Sequence, residues 1–178
     1  RLIGIKDKSS EACIDGIEQI ISNVSQLKDK LPRNIVHIRS DFGSEFRSDT
    51  FRKWCGENSI RFTTAAPKHQ EQNGLVERHW ATITKMANTM LLHARLNKKF
   101  FYYAARYAQR VHDVIPVKGL VDDKGLPTTP HFLLSGLKPN VKHFRVFGCP
   151  AVFKKYEFSD RGRRTKSKFS QQGVRGIF

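Results

Sequence analysis

A chain of 178 residues, 39% of them hydrophobic, holds enough apolar material for one domain with a core of its own, alone or with an extended tail. Its 32 lysines and arginines against 16 acidic side chains leave a net charge of +16, which points to a polyanionic partner, nucleic acid above all. No apolar run approaches the ~18–20 residues that span a bilayer, so a transmembrane helix is excluded.

Opening on Arg1 and not on Met, the chain reads as an excerpt with no signal peptide. Cys13, Cys55 and Cys149 are widely spaced with no C-x-x-C pair, so neither a disulfide framework nor a zinc site is expected, and a reducing, intracellular setting fits. Charge divides unevenly: residues 1–60 balance at +1, residues 61–137 carry +6 and residues 138–178 carry +9. The run Arg161-Gly162-Arg163-Arg164-Thr165-Lys166-Ser167-Lys168 reads either as a flexible phosphate-contacting segment or as a solvated loop between strands.

In chain order, Leu2-Ile3-Gly4-Ile5 reads as the end of a strand. Ser9 or Ser10 caps a helix whose apolar positions, Cys13, Ile17, Ile20, Ile21 and Val24, follow the helical period and which stops before Pro32. The β-branched run Ile35-Val36-His37-Ile38 predicts a strand buried on both faces, with His37 a packed core residue, and it leads into a polar turn, residues 40–46. Ser48 caps a short helix holding Phe51, Trp54 and Cys55, and Arg61–Ala65 is the next strand, ended by Pro67.

After a polar loop comes the longest helix, with Val76, Trp80, Ile83, Ala87, Met90 and Ala94 forming one apolar stripe. Asn97 caps a further helix through Phe100, Tyr103, Ala104 and Tyr107, and Thr129-Pro130 pairs a cap with proline at the first helical position. Residues 144–153 and 174–178 read as strands of a C-terminal β extension. Alternating strands and helices make the class α/β.

Two carboxylates carry the chemistry. Asp41 follows a strand at its carboxyl end, where open α/β sheets place their sites. Glu77 starts a helix entered from an Asn73-Gly74 turn, and 35 residues separate the two. A hard divalent cation takes oxygen ligands, and one or two carboxylates with waters and a phosphate satisfy it. Taken singly, an Asp in a turn is usually a turn former, and a Glu in a first helical turn usually complements the helix dipole.

Together and in order they say more. Ser40-Asp41-Phe42-Gly43-Ser44-Glu45-Phe46 and Gln72-Asn73-Gly74-Leu75-Val76-Glu77-Arg78 resemble the second and third blocks of the catalytic core of retroviral-type integrases, most closely those of copia-type LTR retrotransposons. The 35-residue spacing matches their D,D-35-E pattern. Thr129–Gly136 with Lys138-Pro139, then Phe144–Cys149, and finally Lys166 with Gly173–Phe178 are similar to the segments that follow in that family, so the resemblance covers essentially the whole chain.

The resemblance implies a ribonuclease H-like fold, N-terminally truncated, whose first two strands and first catalytic Asp lie upstream of Arg1. Residues 1–115 would be the partial core, and residues 116–178 a basic extension with helix and β strands. It implies a metal-dependent polynucleotidyl transferase that inserts element DNA into target DNA by phosphodiester cleavage and strand transfer. In that family three carboxylates hold two Mg²⁺ or Mn²⁺ ions. Asp41 and Glu77 would be the second and third, catalytic and metal-binding alike, with Glu45, Asn73 and Gly74 in support. Arg78, Lys85, Arg161, Arg163, Arg164, Lys166 and Lys168 would contact DNA. A homo-multimer in the full protein, in a nuclear or cytoplasmic particle and not at a membrane, is implied too.

With one carboxylate upstream, this stretch alone is expected to be inactive. The chain also departs from the pattern: Phe42 stands where the family usually has Asn, and Trp80-Ala81 replaces a polar and basic pair that faces DNA. These departures keep open a catalytically inactive, nucleic-acid-binding remnant of the same fold. Charge alone also admits an unrelated basic module of ribosomal type.

Overall fold

A computed structural model of the chain describes residues 3–25, 35–41, 43–64, 74–154 and 173–178. Its first helix, α1 (Ser10–Ser25), starts where Ser9 Oγ accepts from the Ala12 amide at 3.2 Å, satisfying one of the donors a helix leaves unpaired. Strand β1 (His37–Ser40), helix α2 (Asp49–Glu57) and strand β2 (Arg61–Thr64) then form one unit. The strands pair in parallel, Ile38 opposite Phe62 and Ser40 opposite Thr64, which requires a crossover, and α2 supplies it. Ser48 caps α2 as expected, its hydroxyl accepting from the Phe51 amide at 3.1 Å.

The core under this pair is aromatic. Phe51, Cys55 and Ile60 are buried, and Ile14, Ile17 and Ile21 of α1 close over them together with Ile38, Phe46, Trp54 and Phe62. The Phe51 ring meets Phe62 edge-on at 5.0 Å and Phe46 at 5.3 Å, geometries that aromatic quadrupoles favour. Trp54 Nε1 donates to Glu18 Oε1 at 2.9 Å, tying α2 to α1.

A second core lies between α3 (Gly74–His93) and α4 (Phe101–Asp113). Ile83, Ala87 and Leu91 face Ala104, Ala105 and Ala108, so small side chains on α4 let large ones on α3 sit close. Asn97 caps a single 3₁₀ turn, Lys98–Phe100, which runs directly into α4. Helix α5 (Pro130–Ser135) has Thr129 as its cap, proline in its first turn and Gly136 at φ +67° closing it. Strands β3 (Pro150–Lys154) and β4 (Gly173–Ile177) pair antiparallel.

Several expectations are corrected. Residues 3–5 form no strand. The strand expected at 35–38 starts at His37, and only one of its faces is covered: Ile38 packs on the aromatic core, whereas His37 and Arg39 on the other face are exposed. His37 is accordingly not a core residue; it is exposed, and its Nε2 lies 2.8 Å from Thr63 Oγ1 on the open face. The stripe of α3 is buried only from Ile83 onward, where it meets the alanines of α4; Val76 and Trp80 are 70% and 47% exposed. On α4 the covered face is alanine, and Tyr103 points outward. The strand expected over 144–153 begins only at Pro150.

That shortening has a visible cause. Tyr107 Oη donates to the Arg145 carbonyl at 2.5 Å and accepts from the Arg145 amide at 3.0 Å, which takes both ladder-forming groups of that residue. The Tyr107 ring also packs against Phe144, Phe147 and Phe178. One side chain of α4 thus holds the C-terminal extension.

Candidate active site

The register of β1 and β2 decides where Asp41 stands. Ser40 is level with Thr64, so the carboxyl ends of the two parallel strands coincide, and Asp41 is the first residue beyond that end, exposed. The chain leaves β2 at the same end and, after residues 65–73, enters α3, whose first turn carries Glu77, also exposed. Among the described residues neither carboxylate receives a hydrogen bond or an ion pair, which leaves hard oxygen donors free to bind a cation. Glu77 sits where the helix dipole favours a negative charge.

Glu45 belongs to the same turn, in the 3₁₀ segment Ser44–Phe46. Its carbonyl accepts from Ser10 Oγ at 2.9 Å and from Ser48 Oγ at 3.3 Å, which fastens the turn to the starts of α1 and α2. Its carboxylate folds back over Gly43, where a Cβ would stand 2.9 Å from it. Glycine gives this carboxylate room two residues from Asp41.

On α3, Gly74 is the first residue, and its carbonyl accepts from Arg78 Nε at 3.0 Å, so that guanidinium is partly engaged by its own helix. Glu77, Ala81 and Lys85 recur at i, i+4 and i+8 on the exposed side, away from Ile83 and Ala87. Trp80, one turn past Gly74–Glu77, meets Phe101 edge-on at 6.4 Å and keeps nearly half its surface in solvent. Asn73, Phe42, Arg161, Arg163, Arg164, Lys166 and Lys168 lie outside the described residues. No group of three or more His, Cys, Asp or Glu placed to hold a metal occurs among the described residues.

A polar network that the sequence reading missed braces α3 against α4. His79 Nε2 lies 2.7 Å from Gln109 Oε1, and Gln109 Nε2 donates to Asp113 Oδ1 at 2.7 Å. His112 packs edge-on to His79 at 4.8 Å, with its Nδ1 shielded from solvent and lacking a partner among the described residues. Burial pushes the His112 pKa down, the neighbouring His79 adds to this and Asp113 opposes it. Because the folded value lies below the ordinary 6.5, this group's contribution to stability is complete above pH 6.5 and is lost as pH falls through its folded value. Thermal melts at pH 7.5 and 5.5 should therefore show a drop that is smaller in His112→Gln; equal drops would remove His112 as the cause.

In fold the chain is similar to solved catalytic core domains of retroviral integrases. The HTLV-2 integrase catalytic core domain, solved in complex with magnesium in a trimeric form, superposes with a TM-score of 0.52 at 24% identity, covering 73% of this chain and 72% of that one. In sequence, its homologues include Pol polyproteins of copia-type retrotransposons. The chain is 27% identical over 146 residues to the retrovirus-related Pol polyprotein from transposon TNT 1-94 of Nicotiana tabacum, and 30% identical over 125 residues to that from transposon RE2 of Arabidopsis thaliana. These alignments cover 82% and 70% of this chain but only 10% and 8% of the polyproteins. No family model matches. The integrase resemblance read from the two motif blocks is borne out. Among the described residues no helix is long and apolar enough to cross a membrane.

Proposed function

We propose that this chain is part of a retrotransposon integrase, a metal-dependent polynucleotidyl transferase of D,D-35-E type that inserts element DNA into target DNA. One observation supports this above all: Asp41 stands just past the carboxyl end of β1, level with the end of its parallel partner, and Glu77 opens the helix that follows that partner. Asp41 and Glu77 would hold Mg²⁺ or Mn²⁺, which suits their free carboxylate oxygens. A bound divalent ion would polarise a phosphodiester oxygen and lower the pKa of a coordinated water. What this chain's residues do is narrower. β1 and its aromatic core hold Asp41 at the sheet end, the first turn of α3 presents Glu77, and Glu45 belongs to the turn that follows Asp41.

In this reading residues 1–115 are core and residues 116–178 an extension, with DNA as substrate and a multimer as the working form, in a nuclear or cytoplasmic particle. The family's first aspartate would complete the set, so residues 1–178 alone would not join DNA. Lys85, exposed on the Glu77 side of α3, would face the DNA, with the basic run through Lys168 adding contacts. Water-proton relaxation with Mn²⁺ tests the site. Weak binding by residues 1–178 should fall several-fold in Asp41→Asn and again in Glu77→Gln, and change less in Glu45→Gln. Equal relaxation in wild type and both variants would overturn the site.

The inactive-remnant reading draws on Trp80, whose exposed indole occupies the turn of α3 next to Glu77 where a polar contact is expected. It requires that nucleic-acid binding persist while Mn²⁺ binding does not depend on Asp41 or Glu77.

A further inference from the structure

Away from Asp41 and Glu77, α4, α5 and the chain that follows α5 line a cavity of about 370 Å³. Arg106 and Arg110, one helical turn apart, form one wall; His131, Asn140 and Phe144 contribute to the other. Among the described residues neither guanidinium donates a hydrogen bond or joins an ion pair. Each instead lies over an aromatic ring, Arg106 over Tyr102 at 5.7 Å and Arg110 over Phe144 at 5.8 Å. Stacking limits where a guanidinium can turn and leaves its N–H edge open, so the forks are set before any ligand arrives.

One carboxylate shares the cavity, Asp113, three residues from Arg110. Among the described residues it makes no ion pair with that arginine, and its Oδ1 accepts from the Gln109 amide at 2.7 Å. Two guanidinium cations against one carboxylate leave the cavity net positive, and phosphate oxygens match paired guanidinium forks. The volume falls at the small end of ligand pockets, enough for one nucleotide unit and not for a folded segment.

We propose that this cavity is a second DNA contact, in which Arg106 and Arg110 grip a backbone phosphate. The inference rests on the reading of DNA as partner, but it involves neither Asp41 nor Glu77. It also gives the extension a role: Tyr107 docks residues 144–147 on α4 and so places Phe144 under Arg110.

Fluorescence anisotropy of a short labelled duplex with residues 1–178 tests it. In the double variant R106Q/R110Q, affinity at 0.1 M salt should fall about tenfold or more, and the slope of log K against log salt should flatten by about 0.9, the value for one phosphate contact. R106K/R110K should keep the slope and lose part of the affinity, and Asp113→Asn should tighten binding. Circular dichroism of these exposed-site variants checks that they fold. Unchanged affinity and slope in R106Q/R110Q would overturn the proposal. Inorganic phosphate is the second probe: arginine Nε–H resonances that shift with phosphate but not with duplex would mark a site for the free ion and overturn the DNA assignment. Absence of duplex binding by the wild type would overturn this proposal and the DNA partner together. Loss of duplex affinity in R106Q/R110Q, with Mn²⁺ relaxation indifferent to Asp41 and Glu77, would uphold the cavity and remove the metal site.

Discussion

Phe51→Ala should destabilise the chain by about 3–5 kcal/mol, the range for emptying a buried aromatic site. Phe51 is wholly buried, and its ring is in contact with Phe46 and Phe62 while Trp54 stacks at a tilt 5.9 Å away. Four elements converge there, so no single one can move in to fill the space without leaving another: α1 brings Ile14, Ile17 and Ile21, β1 Ile38, β2 Phe62, and α2 Phe51 itself. A cavity that cannot collapse carries the larger penalty. Urea unfolding measures it, and a loss under about 1 kcal/mol would show that the cluster repacks. Phe51→Leu should cost less. Because this core is what supports β1, weakened Mn²⁺ binding should accompany the Phe51→Ala loss if Asp41 holds the ion as proposed.

Gly148→Ala should release the C-terminal extension from the helical pair. Gly148 has φ +80°, and an added Cβ would stand 2.4 Å from the Ala94 Cβ, closer than two carbons can approach. The left-handed backbone costs a non-glycine residue about 1–2 kcal/mol, and overpacking adds about 1–3 kcal/mol. Neither neighbour has a flexible end to yield: Ala94 follows α3 directly, and the Gly148 amide is held by the Phe178 carbonyl at 2.7 Å. The expected result is faster hydrogen exchange in residues 144–154 and 173–178 while α3 and α4 stay protected. Ala94→Gly on that background should restore part of the protection by removing the clash, though not the backbone strain. Full protection in Gly148→Ala alone would refute the close approach. If the cavity binds phosphate, the same variant should lower duplex affinity, since Phe144 would no longer sit beneath Arg110.

The positions of Asp41 and Glu77 and the capped starts of α1, α2 and α5 were readable from the residues alone, and for the same reason. A cap such as Ser48 or Thr129 works through an amide three residues away, so its partner is already written in the local sequence. Asp41 at a strand end and Glu77 at a helix start are likewise local positions. The motif blocks around them are what led to the integrase resemblance.

Burial is different, because it depends on how much of a neighbour arrives. The spacing of apolar residues is uniform from Val76 through α3 to Ala94, yet the stripe is buried only from Ile83 on, and no periodicity within α3 marks where that burial begins. Ile35–Ile38 has the composition of a doubly covered strand, but only one face meets a core, and His37 lies in the open. Residues 144–149 have strand propensity, and the Tyr107 hydroxyl, 38 residues away, takes the backbone groups that a ladder would need. The sequence by itself thus determined local conformation, charge and the identity of the chemical groups, since these rest on neighbours within a few residues. Only the tertiary structure decided which faces are covered and that Arg106 and Arg110 share a cavity with Asn140 and Phe144, since each of those depends on segments that the fold alone brings together.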